Sequence, residues 1–383
     1  MRPRIVVAGG GPVGLAFACA ASGCDVRVLE AAPDRAAPAS EDYDVRVLAL
    51  SPGTRALLRD LGAWENLDAA RVAAVRRMEV FGDGGTRLEF GARPGAALAW
   101  VVEAGRLAHA IEEQARSLSH VSISHEARAL DCGVAGALAW ASLADGERVE
   151  GDLLVGADGP DSPVRARMGI AFEEQPYEES ALVANFETER RHADTARQWF
   201  RDDGVLAWLP LPGPRISIVW STPNANADAL QGLDSRAFER RVREAGGAPL
   251  GDLRLVSPIA RFPLRLIRVA QPVAERVALL GDAAHAVHPL AGQGINLGFQ
   301  DVRALGEAIQ GRSALEAVGD LSVLRRYARE RREDVTAMQF VTDGLDRLFA
   351  TGRRGAYTLR NLGLGLVERQ PWAKAALARR AMR

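Results

Sequence analysis

The stretch from Arg4 to Glu30 leaves this chain few ways to fold. Arg4–Ala8 (RIVVA) is a β-branched run of strand length. It stops at Gly9-Gly10-Gly11-Pro12-Val13-Gly14, an apolar segment of helical character follows from Leu15, and Asp25–Leu29 (DVRVL) is a second strand that ends at Glu30. A G-x-G-x-x-G loop between strand and helix, with an acid closing the next strand, is the pattern of a parallel βαβ unit that binds a dinucleotide. Gly9 permits the tight turn, Gly11 lets a pyrophosphate approach the backbone, and Gly14 lets helix and sheet pack closely. Glu30 is placed to accept hydrogen bonds from a ribose.

Composition narrows the class further. The 383 residues are 48% hydrophobic and 25% charged, enough for one large domain or two intertwined ones. A net charge of −1 gives no sign of nucleic-acid binding. The charge is uneven, with fourteen Lys/Arg against seven Asp/Glu between residues 320 and 383. A basic end on an acidic body suggests an interaction surface, against the plainer reading of a solvated helix face. Cys19, Cys24 and Cys132 have neither metal nor redox spacing, and a reducing cytoplasm suits them. The apolar stretch after Arg2 and Arg4 is broken by glycines and enters a βαβ pattern, unlike a signal peptide, and no transmembrane run is visible.

Along the chain, the reading is α/β with an insertion. Tyr43–Leu50 and a helix opened by Ser51-Pro52 continue the first unit. Strands on either side of Asp83-Gly84-Gly85 form a hairpin signal. A helix is expected over residues 105–117, then strands at Val121–Ser124, Ala127–Leu130 and Leu138–Ala144. From Phe172 to Pro272 the texture turns to alternating runs with one helix at Ser235–Ala245, which reads as a mostly antiparallel domain inserted into the first. The expected division is a discontinuous Rossmann-like domain (1–72, 101–171, 273–322), a β-sheet domain (73–100, 172–272) and a helical C-terminal region (323–383) that ends in a short helix after Pro371.

Two further buried strands end in acid-glycine turns. Leu153–Gly156 runs into Ala157-Asp158-Gly159, and Val277–Leu280 runs into Gly281-Asp282. After the second turn, Gly292-Gln293-Gly294 precedes Ile295-Asn296-Leu297, where a helix opened by glycines would present bare amides and a positive dipole end. His285 and His288 lie between, and a histidine in a packed loop is more often a structural hydrogen-bonder than a catalyst.

Three signals therefore stand in order: GGGPVG with Glu30, GADG at 156–159, and GDAAHAVHPLAGQGINLGFQD at 281–301. Together they resemble the class A, single-component flavoprotein monooxygenases, and the resemblance covers nearly the whole chain. The segments at 206–221, 340–349 and 359–377 are more similar to the ubiquinone-biosynthesis hydroxylases within that family. The resemblance implies a p-hydroxybenzoate hydroxylase-like fold that binds FAD. The ADP end would lie on Gly9, Gly11, Pro12, Val13 and Gly14, with Glu30 on the ribose and Ala31 and Ala127 as further cofactor contacts. Arg46 and Asp158 are implied as cofactor contacts, and Gly281 and Asp282 as the ribityl site. Pro289, Gly292, Gln293, Gly294, Ile295 and Asn296 would surround the reactive ring, the first four as the candidate catalytic residues and Pro289 bordering the place where oxygen and substrate meet. Relatives usually carry a polar or basic residue where this chain has Ala104 or Gly105, and Arg106 is the candidate to take over that contact.

The implied chemistry is carried by the cofactor. NAD(P)H reduces FAD, dioxygen adds to give a flavin C4a-hydroperoxide, and an electron-rich aromatic ring attacks its distal oxygen. With no second G-x-G-x-x-G, the nicotinamide would bind transiently in a groove of the same fold. No metal site is expected. Two substrate classes stay open: a polyprenylated phenol of ubiquinone biosynthesis, for which the basic C-terminal region would meet an anionic membrane or a partner complex, or a small phenol handled in solution. A flavin halogenase would need a lysine in the body of the protein, and the sole lysine is Lys374. A flavin-binding protein without hydroxylase activity is the reading from another class.

Overall fold

The computed structural model describes residues 2–34, 43–82, 85–287 and 294–350. The expected helix after Pro371 lies outside the described residues.

A six-stranded sheet runs in the order Val273–Ala274, Val277–Leu279, Leu153–Gly156, Arg4–Ala8, Asp25–Leu29, Val121–Ser124. All its pairings are parallel except that of the short edge strand Val273–Ala274. Its central strands are apolar at nearly every position because both faces are covered. One layer holds the helices Pro12–Ala20, Ala104–Ser117 and Gly294–Gln310, whose Leu15, Phe17, Ile111, Phe299 and Leu305 share a core with Val7, Val28 and Val155. On the other side, a three-stranded antiparallel sheet (Asp131–Ala135, Leu138–Ser142, Arg148–Gly151) packs through Ala139, Ala141 and Val149.

A second, nine-stranded sheet is antiparallel but for one pairing. It is built on Phe172–Thr188, Thr195–Arg201, Gly204–Leu211, Arg215–Pro223 and Ala260–Val269. The hairpin strands Arg77–Phe81 and Arg87–Gly91 join its edge, Arg77–Phe81 running parallel to Thr195–Arg201. One face is buried under the helices Asn224–Gln231 and Ser235–Ala245, where Leu182, Leu206, Trp208, Ile218 and Trp220 meet Leu230, Phe238 and Val242. The long helix Leu321–Ala350, the last among the described residues, returns to the first sheet, where buried Tyr327 donates to the Leu279 carbonyl at 2.7 Å.

Two details differ from expectation. Residues 127–130 form no strand: the Ala127 amide donates to the Glu30 carbonyl at 2.8 Å, so the segment follows the end of strand Asp25–Leu29 before Asp131 begins the next strand. The helix Asn224–Gln231 has a polar exposed side and only Ala227 and Leu230 buried, which left little period to read.

Candidate active site

Register places the three motifs side by side. In the parallel sheet Ala8 lies opposite both Leu29 and Gly156, and Gly156 lies opposite Leu279. Four adjacent strands thus end at one level, and Gly9, Glu30, Ala157 and Leu280 leave them together. Loops at the carboxyl edge of such a sheet are where open α/β folds bind ligands.

These loops touch closely. Gly9 has φ +106°, and a Cβ there would lie 2.3 Å from the Ala157 carbonyl oxygen. A Cβ on Gly14 would lie 2.1 Å from the Gly9 oxygen. Both positions are closed to any larger residue by the fold itself. At Gly11, by contrast, an added Cβ would meet no atom within 4 Å. Glu30 braces the loop, its carboxylate accepting from the amides of Gly10 at 2.7 Å and Ala32 at 2.8 Å. Gly11 caps the helix Pro12–Ala20 with no side-chain hydrogen bond, and Pro12 supplies no donor. Val13 reaches across to the third motif: a Cβ on Gly298 would meet its Cγ2 at 2.7 Å.

Asp158 accepts from the Val164 amide at 2.9 Å through Oδ2, while its buried Oδ1 has no partner among the described residues. Burial raises its carboxyl above the usual range, against the opposing pull of Ser162, Val164 and Arg165. Arg165, itself buried, donates to the carbonyls of Pro160 at 2.6 Å and Ala283 at 2.9 Å. It therefore ties the second motif to the third.

The third motif is a tight 3₁₀ turn, Gly281–Ala283, with Gly281 at φ +58°. Asp282 is exposed to solvent, with His285, Arg46, Arg265 and Asp301 near enough to act on its charge. Burial raises its carboxyl, opposed by His285, Arg46 and Arg265, while Asp301 adds to the rise. Arg46 stands 5.7 Å from the ring centroid of Phe262. Phe262 shares one face of the second sheet with Ala181 and Ser221, and Ala260, Val183, Val219 and Ala207 form the next row on that face. It is the face turned away from the two covering helices.

Other expected residues have different surroundings. Arg106 Nε is 3.0 Å from the Glu103 carboxylate, which also binds Arg71 at 2.8 Å. The Asn296 side chain accepts from the Ser51 amide at 2.9 Å and the Thr54 hydroxyl at 2.8 Å, and donates to the Ala49 carbonyl at 2.9 Å. It locks the helix Gly294–Gln310 to the start of the helix Pro52–Asp60. Ala127 sits beside Glu30 through the backbone bond described above, and Ala31 is exposed next to it. The helix begins at Gly294, and Ile295 packs partly into the main core. Pro289, Gly292, Gln293 and His288 lie outside the described residues. His285 is buried with Nε2 2.7 Å from Asp301, a structural hydrogen-bonder in this fold. Arg165 and Asp301 are the residues the sequence did not single out, although Asp301 closes the third motif stretch and Arg165 follows the second within a short helix.

Comparison with known proteins decides the family. The profile described as "FAD binding domain" matches residues 2–341. The chain belongs to this FAD-binding family of flavoprotein monooxygenases. It is 34% identical to the human ubiquinone biosynthesis monooxygenase COQ6, mitochondrial, over 94% of this chain and 88% of that one. It is 33% identical to the 3-demethoxyubiquinol 3-hydroxylase of Escherichia coli K12, over 96% and 95% of the two chains. In fold it is similar to p-nitrophenol 4-monooxygenase PnpA of Pseudomonas putida, with a TM-score of 0.76 at 19% identity over 100% and 98% of the chains. This monooxygenase is thus an FAD-dependent aromatic hydroxylase with NAD(P)H as co-substrate. Its p-hydroxybenzoate hydroxylase-like architecture, with a Rossmann-like sheet joined to a mostly antiparallel one, is the expected one.

The residues present suit the cofactor. The buried Oδ1 of Asp158 needs a donor, Gly11 leaves a cradle that a Cβ would fill, and Asp282 offers a solvent-facing carboxylate within reach of the Arg46 charge.

Proposed function

We propose that this monooxygenase hydroxylates the ring of a polyprenylated phenol in ubiquinone biosynthesis. The relatives named for that pathway support the substrate class. So does the row of small apolar residues Ala260, Val183, Val219 and Ala207, a floor suited to an apolar chain. Phe262 and Arg46 stand at the end of that face which lies towards Asp282.

The observation that carries the site assignment is the common level at which Leu29, Ala8, Gly156 and Leu279 end. Along that edge, Gly9, Gly11, Pro12, Val13 and Gly14 hold the pyrophosphate on the helix amides, and Glu30 with Ala31 and Ala127 holds the adenosine ribose. Asp158 accepts from the middle of the cofactor, Asp282 binds the ribityl hydroxyls, and Arg46 offsets the charge of that carboxylate. Gly292, Gln293, Gly294, Ile295 and Asn296 present backbone to the ring's pyrimidine edge, and Pro289 borders the substrate. Arg106 acts behind them, through Glu103. Bound FAD supplies the electron transfer from NAD(P)H and the activation of dioxygen. The protein's own share is to bind, orient and exclude water, so that reduced cofactor is not spent on hydrogen peroxide.

In this reading residues 1–72, 101–171 and 273–322 make the cofactor domain, and 73–100 with 172–272 the substrate domain. The basic region 320–383 rests against an anionic membrane in which the prenylated substrate dissolves. No described helix is long and apolar enough to cross a membrane. Deletion of the gene and chromatography of the quinone pool test the substrate. Accumulation of a prenylated phenol lacking one ring hydroxyl is expected, and an unchanged pool contradicts the proposal.

A further inference from the structure

Asp301, in the helix Gly294–Gln310, is completely buried and accepts hydrogen bonds from three donors on two other segments. Its Oδ2 takes the amide of Gly281 at 3.0 Å and Nε2 of His285 at 2.7 Å. Its Oδ1 takes Nε of Arg331, from the helix Leu321–Ala350, at 2.8 Å. Arg331 is also buried and reaches the Leu297 carbonyl at 3.4 Å. Gly281 and His285 are the two ends of the segment that carries Asp282. Between them the Ala284 amide closes the turn onto the Gly281 carbonyl at 2.8 Å, Arg165 holds the Ala283 carbonyl, and His285 pairs with Arg268 in the second sheet.

A buried carboxylate is costly unless paired and fully hydrogen-bonded. The compensation is present here: burial alone would raise the Asp301 carboxyl, but His285 and Arg331 outweigh it and hold it low. A simpler core would bury an apolar side chain at this point in the helix. What the carboxylate adds is a fixed distance between the first and last residues of the turn, set by one oxygen atom. We propose that Asp301 is a positioning residue, which clamps Gly281 and His285 so that Asp282 is held at one place and angle beyond the end of the strand Val277–Leu279. Arg331 is the counter-charge that keeps the clamp ionised. The inference rests on the reading of Asp282 as the ribityl contact.

The test is the rate of FAD release from the holoenzyme, followed by flavin fluorescence, together with the flavin absorption spectrum. Asp301→Asn keeps the shape but loses the charge, and its amide nitrogen cannot accept, so the donors on one side, Gly281 with His285 or Arg331, are left facing another donor. FAD release is expected to speed up about tenfold or more, the loss of charged hydrogen bonds being of that size, with a shifted flavin spectrum. Tyr327→Phe is the control for plain destabilisation, because it removes a buried hydrogen bond to Leu279 and touches neither end of the turn. Its release rate and spectrum should stay as in the wild type. Equal acceleration by Tyr327→Phe, or no acceleration in Asp301→Asn, overturns the clamp. If Asp301→Asn does not fold, His285→Gln, which keeps a donor, and His285→Leu, which does not, carry the comparison, with equal release from both as the contrary result. Asp282→Ala separates the two levels. If it leaves FAD release unchanged, the ribityl assignment fails; if it accelerates release while Asp301→Asn does not, only the clamp fails.

Discussion

Arg165 donates to the carbonyl of Ala283, 118 residues further along the chain, at 2.9 Å. That bond joins the turn after one buried strand to the turn after its neighbour, and the Arg165 guanidinium also lies 4.1 Å from the ring centroid of Phe172, at the start of the second sheet. Arg165→Met should keep the packing and orphan the carbonyls of Pro160 and Ala283. Each orphaned group costs about 1–3 kcal/mol, so the urea midpoint should fall clearly. FAD affinity should drop as well, because the Gly281–Ala283 turn loses a tether. A variant as stable as the wild type would show that the link is dispensable.

Two glycines of the first loop make opposite predictions. Gly14→Ala drives a methyl to 2.1 Å from a backbone oxygen and should damage the fold with or without cofactor. Gly11→Ala meets no protein atom within 4 Å. Its apoprotein should melt with the wild type while FAD binding weakens by about tenfold or more, roughly 1.4 kcal/mol. An apoprotein destabilised by Gly11→Ala, or unchanged FAD affinity, contradicts the pyrophosphate assignment.

The two acids at the third motif respond to pH with opposite sign. The Asp282 carboxyl is raised in the folded protein. The fold therefore favours its protonated form, a contribution complete below the unfolded carboxyl pKa of about 3.9 and lost as pH rises through the folded value. Asp282→Asn should thus leave the apoprotein at least as stable as the wild type at neutral pH, while FAD binds more weakly. This is the stability-for-function exchange expected of a ligand site. Thermal melts of apo and loaded protein measure both halves.

Asp301 is held low, so its contribution is present above about pH 3.9 and disappears as pH falls through the folded value. The stability gap between the wild type and Asp301→Asn should be full at neutral pH and should narrow under acid. A gap that does not change with pH would mean that the carboxylate's charge is not what stabilises the turn.

Membrane contact through the basic region rests on charge and should be screened by salt. Flotation with anionic vesicles should carry the protein up at low ionic strength and release it at high. No association in either condition removes the membrane part of the proposal.

The local half of this architecture was legible in the sequence. Arg4–Ala8, Asp25–Leu29, Val121–Ser124 and Ser235–Ala245 stand where period and punctuation put them, since each is decided by neighbours within a turn or a strand length. The hairpin around residues 83–85 was legible as a hairpin, and its strands do join the second sheet, but their parallel pairing with Thr195–Arg201 depends on residues more than a hundred positions away. The site shows the same division. The glycine loop and the acid-glycine turns announce themselves because backbone geometry restricts which residues fit. Arg165 and Asp301 do not, since an arginine in a short helix and an aspartate in a long one look like surface residues until the fold brings Ala283, Gly281 and Arg331 against them. Asn296 was read as part of the ring site, and nothing near it in sequence shows that its side chain is engaged by Ser51 and Thr54.

The central claim is tested most directly by incubating the purified, FAD-loaded protein with NAD(P)H, isotopically labelled dioxygen and a prenylated phenol, then analysing the extract by mass spectrometry. The account predicts a prenylated product with one labelled oxygen on its ring, and much slower turnover of the same phenol without its prenyl chain. NAD(P)H oxidation that yields only labelled hydrogen peroxide, or label entering the unprenylated phenol alone, would contradict it.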